Sequence, residues 1–223
     1  MNVVIKDGKL VGYNIHSIPG RGKDTLTYWH PFRSAIGIYK KRYTDVTWLF
    51  TDSSKHFAYA AQLPVQPVKD SNIKYSLNDF LNQLPPLSGI SRQGMKMHMR
   101  WKMQTAVGGG PVLLQNGEIK ITNEEERMFT GNAINDKHPR TAMGYTKDNK
   151  LIILVVQGRF PGIAEGATLT QEAQILKDLG CWEALNLDGG GSSCMLVNGK
   201  ETIKPSDITG QRPVPAVFII RNK

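Results

Sequence analysis

Residues 168–193 read TLTQEAQILKDLGCWEALNLDGGGSS, and this stretch decides the fold class. Thr168 and Gln171 have the spacing of a capping box, in which each side chain bonds the backbone amide of the other residue, so a helix is predicted to begin here. Gly180 predicts where that helix ends, because glycine readily adopts the left-handed conformation that follows a last helical turn. The apolar stripe of this helix consists of Leu169, Ala173 and Leu176.

The segment after this helix predicts a strand over residues 184–188. Successive side chains of a strand point to opposite faces, so Leu185 and Leu187 share an apolar face. Asn186 and Asp188 share the opposite face, and three glycines then break the strand. A helix leading directly into a strand predicts a fold that combines helices with sheets.

Short apolar runs separated by glycine and proline predict many further strands. Continuous apolar runs at Leu151–Val156 and Pro215–Ile220 predict strands buried on both faces. A short helix is predicted within Ser71–Leu87, ended by two prolines. Asp-Gly and Asn-Gly pairs accept the positive φ angles of a type I′ turn and predict tight hairpins. These pairs are Asp7-Gly8, Asn116-Gly117 and Asn198-Gly199.

Residues Met95 to Met103 alternate between apolar and basic side chains, which predicts a strand with one apolar and one basic face. The methionines with His98 also fit a soft-metal site, but methionine at alternate strand positions more often fills a core. The basic face either lines an anion-binding cleft or faces water, and we favour water. A faint internal repeat links His30–Gly37 with His138–Gly144, and either two related strand pairs in one curved sheet or chance explains it.

Size and composition exclude several classes of protein. The chain has 223 residues, 40% of them hydrophobic and 21% charged, which is typical of a globular protein and not of a disordered one. It contains no apolar run of about 18 residues that would span a membrane. We therefore expect one domain over residues 1–223, with an α/β (α+β) fold that has a large mixed, largely antiparallel sheet and a few packed helices.

The net charge of +9 permits a nucleic-acid or anionic-polymer partner without requiring one. The basic residues are scattered, with Lys40-Lys41-Arg42 as the longest run, and the stacking pattern of nucleic-acid binders is absent. We therefore expect no nucleic-acid partner. Cys181 and Cys194 make one disulfide possible, but two buried thiols are favoured.

Polar residues around the three glycines are the candidates for chemistry. Asp188 and the glycine amides can form an anion-binding concavity, or Asp188 can simply cap a tight turn. Glu172 can pair with Asp188 as the two carboxylates of a glycosidase, or merely complement the helix dipole. Arg140 offers a fork suited to phosphate, and His138 can act as a base. Spacing alone indicates an anionic substrate without identifying it.

Four motifs follow one another along the second half of the chain: HPRTAMG (138–144), QGR (157–159), GATLTQE (166–172) and ALNLDGGGSS (184–193). Taken in this order, they resemble the phosphodiester glycosidase family. The closing Arg212 and Pro215–Phe218 fit the same pattern. The resemblance is strongest over residues 105–223, and the order and spacing of the motifs make it specific.

The resemblance implies hydrolysis of a sugar-1-phosphodiester, such as N-acetylglucosamine-1-phosphodiester, with release of free sugar and a phosphate monoester. Asp188 and Glu172 would be the catalytic carboxylates, and Asn186 would orient the sugar or a carboxylate. No cofactor and no metal ligand is implied, and the metal requirement is left open. The residues implied in substrate binding are Arg140, Asn186, Gly189, Gly190, Gly191, Ser192, Arg159 and His138.

Two departures from the family pattern matter. Relatives usually carry an Asn-Gly-Gly-aromatic-Phe segment before the hairpin that begins here at Val3; if it completes the active site, we expect the isolated chain to lose activity. Gln157 stands where many relatives have aspartate, so any role of that carboxylate is lost. The alternative function is therefore a non-catalytic binding module for anionic glycans. Family members are commonly exported, although the sequence equally allows the cytoplasm because no signal-peptide pattern precedes the first strand.

Overall fold

The computed structural model describes residues 2–84 and 99–221, which form two compact units. The first unit contains the residues up to Pro111 together with Thr122–Met128, and the second contains Val112–Ile121 together with the residues from Phe129 onwards. Every strand pair in the described ranges is antiparallel, and three helices accompany the sheets. The predicted fold class is therefore confirmed, whereas the single-domain organisation stays a prediction.

The first unit contains a seven-stranded sheet, in the order β2-β1-β10-β5-β6-β7-β9, and a three-stranded sheet, in the order β3-β4-β8. Apolar side chains from all seven strands of the larger sheet contribute to its core. The strands are β1 (Val4–Lys6), β2 (Lys9–Gly12), β3 (Ile18–Pro19), β4 (Tyr28–His30), β5 (Ser34–Ile38), β6 (Thr44–Phe50), β7 (Ala58–Ala61), β8 (Val68–Asp70), β9 (Arg100–Trp101) and β10 (Thr105–Gly108), and the helices are α1 (Leu77–Gln83) and α2 (Asn123–Glu126).

The second unit contains a five-stranded sheet in the order β12-β11-β15-β13-β14, and a helix packs against it. Leucine and alanine side chains of the helix and the sheet form a separate core. A two-stranded hairpin completes the unit. Its elements are β11 (Val112–Gln115), β12 (Glu118–Ile119), β13 (Arg140–Thr146), β14 (Leu151–Val156), α3 (Leu169–Asp178), β15 (Cys181–Asn186), β16 (Leu196–Val197) and β17 (Lys200–Glu201).

The local signals of turns and caps are confirmed. All three predicted hairpins form, and both residues of each turn have positive φ angles, 51° and 75° at Asp7-Gly8 for example. The capping box of α3 forms, with Gln171 N donating to Thr168 Oγ1 at 3.1 Å. The helix within Ser71–Leu87 is shorter than expected, because Ser76 caps its start and it ends at Gln83. The two prolines lie outside the described residues.

Three strand predictions are wrong in part. Leu151–Val156 forms β14, but it is half-buried because it lies at the edge of the five-stranded sheet. Pro215–Ile220 forms no strand, and its side chains are exposed apart from the half-buried Phe218, since no strand of the described ranges pairs with this segment. The strand after α3 runs over Cys181–Asn186, so Asp188 lies beyond its end and shares no strand face with Asn186.

The basic-faced strand can be judged only from residue 99 onwards, because Met95–His98 lie outside the described residues. Met99, Trp101 and Met103 are buried, whereas Arg100 and Lys102 are exposed, so the predicted alternation is confirmed for this part. The strand itself is short, with Arg100–Trp101 paired to β7.

The two motifs of the internal repeat begin equivalent strands. Ala35 on β5 lies opposite Gly108 on one side and Thr47 on the other. Ala142 on β13 likewise lies opposite Asn186 and Leu154. The related-strand explanation expected both strand groups in one curved sheet. They belong to two separate sheets, so that part of the expectation is wrong.

Both cysteines are free thiols, as favoured, but only one of the two is buried, so the expectation of two buried thiols is wrong for Cys194. Cys181 is buried in the core of the second unit, and burial raises the pKa of its thiol to about 11. Cys194 is half-buried. Among the described residues, no helix has the length and apolar character that crossing a bilayer requires.

Candidate active site

Glu172 lies on the buried side of helix α3. The capping box starts the helix at Thr168, which places Glu172 in the first turn. Residues three and four apart share a face of a helix, so Glu172 falls in line with Leu169 and Leu176, which both pack into the core. The same periodicity that forms the helix thus carries a carboxyl group into the interior of the second unit.

The Glu172 carboxyl group is fully buried, with 0% of the residue exposed, and neither of its oxygens has a hydrogen-bond partner. Burial raises the pKa of this carboxyl group to about 8, against the smaller opposing effect of the Arg140 charge. An unsatisfied buried carboxyl is costly to a folded protein, so it calls for an explanation other than stability. At neutral pH this group therefore holds its proton.

Arg140 is the first residue of β13, and it interacts electrostatically with the Glu172 carboxyl group. The residue is buried, and its guanidinium is fixed by two backbone carbonyls: Nε donates to Ala167 O at 2.9 Å and Nη2 donates to Asp136 O at 3.0 Å. Burial lowers the pKa of Arg140, and the negative charges of Glu172 and Asp136 oppose that shift. Because Ala167 precedes the cap of α3, the arginine joins the start of the strand to the start of the helix.

Glycines bring the other motifs to the same place. Gly190 N donates to Pro139 O at 2.9 Å, and a Cβ at Gly189 would lie 2.7 Å from that same oxygen. Gly158 packs against Pro139, where a Cβ would lie 2.7 Å from the proline nitrogen, and Gly166 packs against the His138 backbone. All four motifs that carry the family resemblance therefore meet around the start of β13.

Asp188 lies between two anchored backbone groups. Leu187 N donates to Thr141 O at 2.7 Å on one side, and Gly190 N donates to Pro139 O on the other. The Asp188 residue is exposed, and its carboxylate makes no hydrogen bond or ion pair with any described residue. The turn is closed by backbone bonds, so the alternative in which Asp188 caps it is not what the structure has.

The glycine turn forms a short 3-10 helix over Gly190–Ser192. Ser192 N donates to Gly189 O at 3.1 Å, and Gly190 N is likewise used by a carbonyl. Two of the amides predicted to hold a phosphate are therefore engaged by the backbone. Ser193, which sequence reasoning did not select, is buried and accepts a hydrogen bond from Thr141 Oγ1 at 3.0 Å.

Arg159 lies over the glycine turn. Its backbone is in the left-handed region, with φ of 65°, and its guanidinium is so close to Gly190 that a Cβ there would lie 3.1 Å from Nη2. Asp207 faces Arg159 at 3.7 Å and Arg212 at 2.9 Å, and its carboxylate packs against Gly191. Asp207 was missed because no recognisable motif surrounds it; Arg212 was noted only as part of the family pattern.

His138 and Asn186 complete the set. The backbone of His138 pairs with Ala167 in both directions, while its buried Nδ1 has no hydrogen-bond partner. Burial lowers the pKa of the His138 imidazole, and the charges of Arg140 and Arg159 lower it further. Asn186 is buried at the end of β15, opposite Ala142.

Gln157, the second departure from the family pattern, makes a hydrogen bond of its own. Gln157 Oε1 accepts a hydrogen bond from Lys204 N at 2.7 Å, so this side chain holds the segment after β17 in place.

Within residues 2–84 and 99–221, no three histidine, cysteine, aspartate or glutamate side chains gather in a group that fits a metal ion.

Comparison with known proteins points to one family. The family model described as phosphodiester glycosidase matches residues 69–221, a span that contains every predicted site residue. N-acetylglucosamine-1-phosphodiester alpha-N-acetylglucosaminidase from Bos taurus is 34% identical over 103 residues, covering 43% of this chain and 19% of the bovine enzyme. The prophage-derived protein YomE of Bacillus subtilis is 40% identical over 81 residues, covering 36% of this chain and 12% of YomE. The chain thus spans a fifth or less of these relatives.

Two solved structures share the fold. The zebrafish N-acetylglucosamine-1-phosphodiester alpha-N-acetylglucosaminidase catalytic domain, auto-inhibited by its pro-peptide, is 26% identical with a TM-score of 0.54, covering 93% of this chain and 51% of that chain. A Burkholderia pseudomallei protein described as exported is 16% identical with a TM-score of 0.52, covering 95% of this chain and 59% of that one.

Proposed function

This chain belongs to the phosphodiester glycosidase family, and we propose from that premise that it hydrolyses a sugar-1-phosphodiester to free sugar and a phosphate monoester. The observation that carries the proposal is Glu172, a buried carboxyl group without a hydrogen-bond partner whose pKa is raised to about 8. Such a group is a proton donor at neutral pH. N-acetylglucosamine-1-phosphodiester is the substrate we favour, in line with the activity named for the bovine relative.

The chemistry of the bond fits the charges of the site. Cleaving the bond between sugar C1 and oxygen expels a phosphate monoester, whose second pKa of about 6 makes it a stable leaving group. Holding its negative charge then matters more than strong protonation of the leaving oxygen. Arg140 and Arg159 are the cations that we assign to this task.

The two carboxyl groups have the contrasting environments that acid and base roles require. Glu172 is buried and holds a proton, so we assign it the general acid. Asp188 is exposed and bonded to no described residue, so it is available to attack C1 or to activate water. Asn186, the last residue of β15, is the candidate for orienting the sugar. By the same family premise we propose that the protein acts after export.

The test is release of free sugar from UDP-N-acetylglucosamine and from methyl-phospho-N-acetylglucosamine. Wild type is compared with Glu172→Gln, Asp188→Asn and the control Glu201→Gln, which alters an exposed carboxylate on β17. We expect each site variant to lose about 10²–10⁴-fold in kcat, the usual range for an acid or base, without a lower melting temperature. The control should match wild type.

Other outcomes are equally informative. A folded wild type that releases no sugar from a panel of sugar-1-phosphodiesters, yet binds them, would establish the anionic-glycan binding module instead. Full activity of Asp188→Asn would remove Asp188 from the catalytic pair while leaving Glu172 in place.

A further inference from the structure

A second site candidate lies in the first unit, where a groove of about 1100 Å³ opens beside the seven-stranded sheet. Four segments line it: the β1–β2 turn at Asp7-Gly8, the β5–β6 turn at Lys40-Lys41, His56-Phe57 before β7, and the connecting segment Trp101–Gln104, which leads from the end of β9 to β10. The Gly8 N–H donates to Gln104 O at 2.9 Å, so the first turn and the connecting segment are held together.

The floor of the groove is apolar and fixed. Gly37 on β5 leaves the space that the Trp101 ring and Met103 fill, because a Cβ there would lie 2.6 Å and 2.5 Å from their atoms. Trp101 Nε1 donates to Asp45 Oδ2 at 2.6 Å, which sets the orientation of the ring. The floor therefore keeps its shape without a ligand.

The rim of the groove is strongly basic. Four exposed lysines line it against one aspartate, Asp7, and none of the four forms an ion pair with a described residue. The β5–β6 turn is rigid, since Tyr39 N donates to Tyr43 O and Arg42 N donates to Tyr39 O, both at 2.8 Å. Charges that converge without partners on a fixed frame favour an anion. The four are Lys9, Lys40, Lys41 and Lys102.

Two tyrosines stand among these lysines. Tyr39 is 40% exposed and Tyr43 is 63% exposed, and both line the groove. A tyrosine ring offers an apolar face that a flat ligand can cover and a hydroxyl group that can hydrogen-bond to it. Lysines for charge and tyrosines for ring contact match a ligand in which anionic groups alternate with rings.

We propose that this groove binds a polyanionic glycan in which sugars alternate with phosphodiesters. The lysines Lys40, Lys41 and Lys102 hold phosphate, and Tyr43 covers a sugar face. The choice of a glycan over a nucleic acid rests on the proposed function, because a phosphodiester glycosidase meets such polymers as substrate. The binding site itself stands on its own residues, none of which belongs to the candidate active site.

The test measures binding apart from catalysis. The full chain carrying Glu172→Gln is titrated by calorimetry with poly(glycerol phosphate) bearing N-acetylglucosamine, at 50 and 200 mM salt, beside neutral dextran and a single-stranded oligonucleotide. The groove variant is Lys40→Ser with Lys41→Ser. The matched control is Lys23→Ser with Lys74→Ser, which removes the same charge from exposed positions of the same unit that do not line the groove.

We expect the glycan polymer to bind, the groove variant to bind about tenfold more weakly or worse, and the salt slope to fall by about one per lysine removed. The control should bind the polymer as tightly as the parent. Tyr43→Ser should weaken binding of the glycan polymer without changing binding of inorganic polyphosphate. Lys40→Ser/Lys41→Ser with an intact Glu172 should hydrolyse methyl-phospho-N-acetylglucosamine at the wild-type rate.

Three results would overturn the proposal. If both double variants lose polymer binding equally, the lysines act through general charge and the groove is not a specific binding site. Tighter binding of the oligonucleotide than of the glycan would assign the groove to nucleic acid. No binding of any polyanion would exclude the site, and this result is independent of whether the small phosphodiester is hydrolysed.

Discussion

Glu126 and Glu172 are both fully buried, yet their surroundings are opposite. The Glu126 carboxylate in the first unit accepts hydrogen bonds from Ser34 N at 2.9 Å, Ser34 Oγ at 2.8 Å, Thr122 Oγ1 at 2.7 Å and Trp48 Nε1 at 3.2 Å. The Glu172 carboxyl group in the second unit accepts none. A buried charge with four donors stabilises a fold, whereas a buried carboxyl without donors costs stability and points to chemistry.

The comparison is sharper because the two regions are internal equivalents. Arg33 precedes β5 and lies within electrostatic reach of Glu126, just as Arg140 at the start of β13 does for Glu172. The strands they introduce have matching registers with their neighbours, as described above. One arrangement of strand, arginine and glutamate thus serves as a structural brace in one unit and as a candidate acid in the other.

The largest loss of stability expected from a single substitution comes from Glu126→Gln. A glutamine amide turns a donor toward groups that are themselves donors, so at least one bond to Ser34, Trp48 or Thr122 is lost. We expect the free energy of unfolding to fall by about 3 kcal/mol, or about 6–12 °C in melting temperature. Urea denaturation followed by tryptophan fluorescence measures it, and Glu172→Gln at the same pH is the matched control, expected to be neutral or stabilising. Equal losses in both variants would contradict the distinction.

A second prediction concerns the pH dependence of stability. The pKa of Glu172 is about 8 in the folded chain and 4.5 as its ordinary value, so between these limits the unfolded chain has released a proton that the folded chain keeps. Stability from this group is therefore fully present below pH 4.5 and is lost as pH rises toward 8, by about 1.4 kcal/mol per pH unit.

Glu172→Gln removes this contribution, so the difference in unfolding free energy between wild type and variant should change steadily from pH 5 to 8. Taking the difference cancels the opposite effect of His138, whose lowered pKa makes stability rise with pH. Parallel curves for the two proteins would mean that Glu172 is already ionised in the folded state.

The smallest effect expected distinguishes the two arginines. Arg140 donates to two carbonyls that a lysine ammonium cannot reach together, so Arg140→Lys should lower the unfolding free energy by about 1–2 kcal/mol. Arg33 has a buried Nε without a partner, and Arg33→Lys should stay within about 0.5 kcal/mol of wild type. Thermal unfolding of both variants side by side decides this, and a larger loss for Arg33→Lys would reverse the assignment.

Local signals in the sequence account for much of the fold. The Asp-Gly and Asn-Gly pairs fix three hairpins, because few residues accept positive φ angles in both turn positions. The capping box and apolar stripe of α3 fix both the helix and its buried face, and Glu172 lies on that face by spacing alone. The candidate residues Arg140, His138, Arg159 and Gly189–Ser192 were likewise selected from sequence, and the glycine contacts draw them together.

Only the tertiary structure decided what depends on partners distant in the chain. Leu151–Val156 is as apolar as a central strand but lies at a sheet edge, and Pro215–Ile220 is apolar yet unpaired, because periodicity reports a tendency and not a neighbour. The sequence by itself determined where the three tight turns and helix α3 begin and which face of that helix is buried. Whether a buried glutamate meets four donors or none, and whether scattered lysines converge on one groove, depends on contacts between residues far apart in the chain, which local spacing cannot encode.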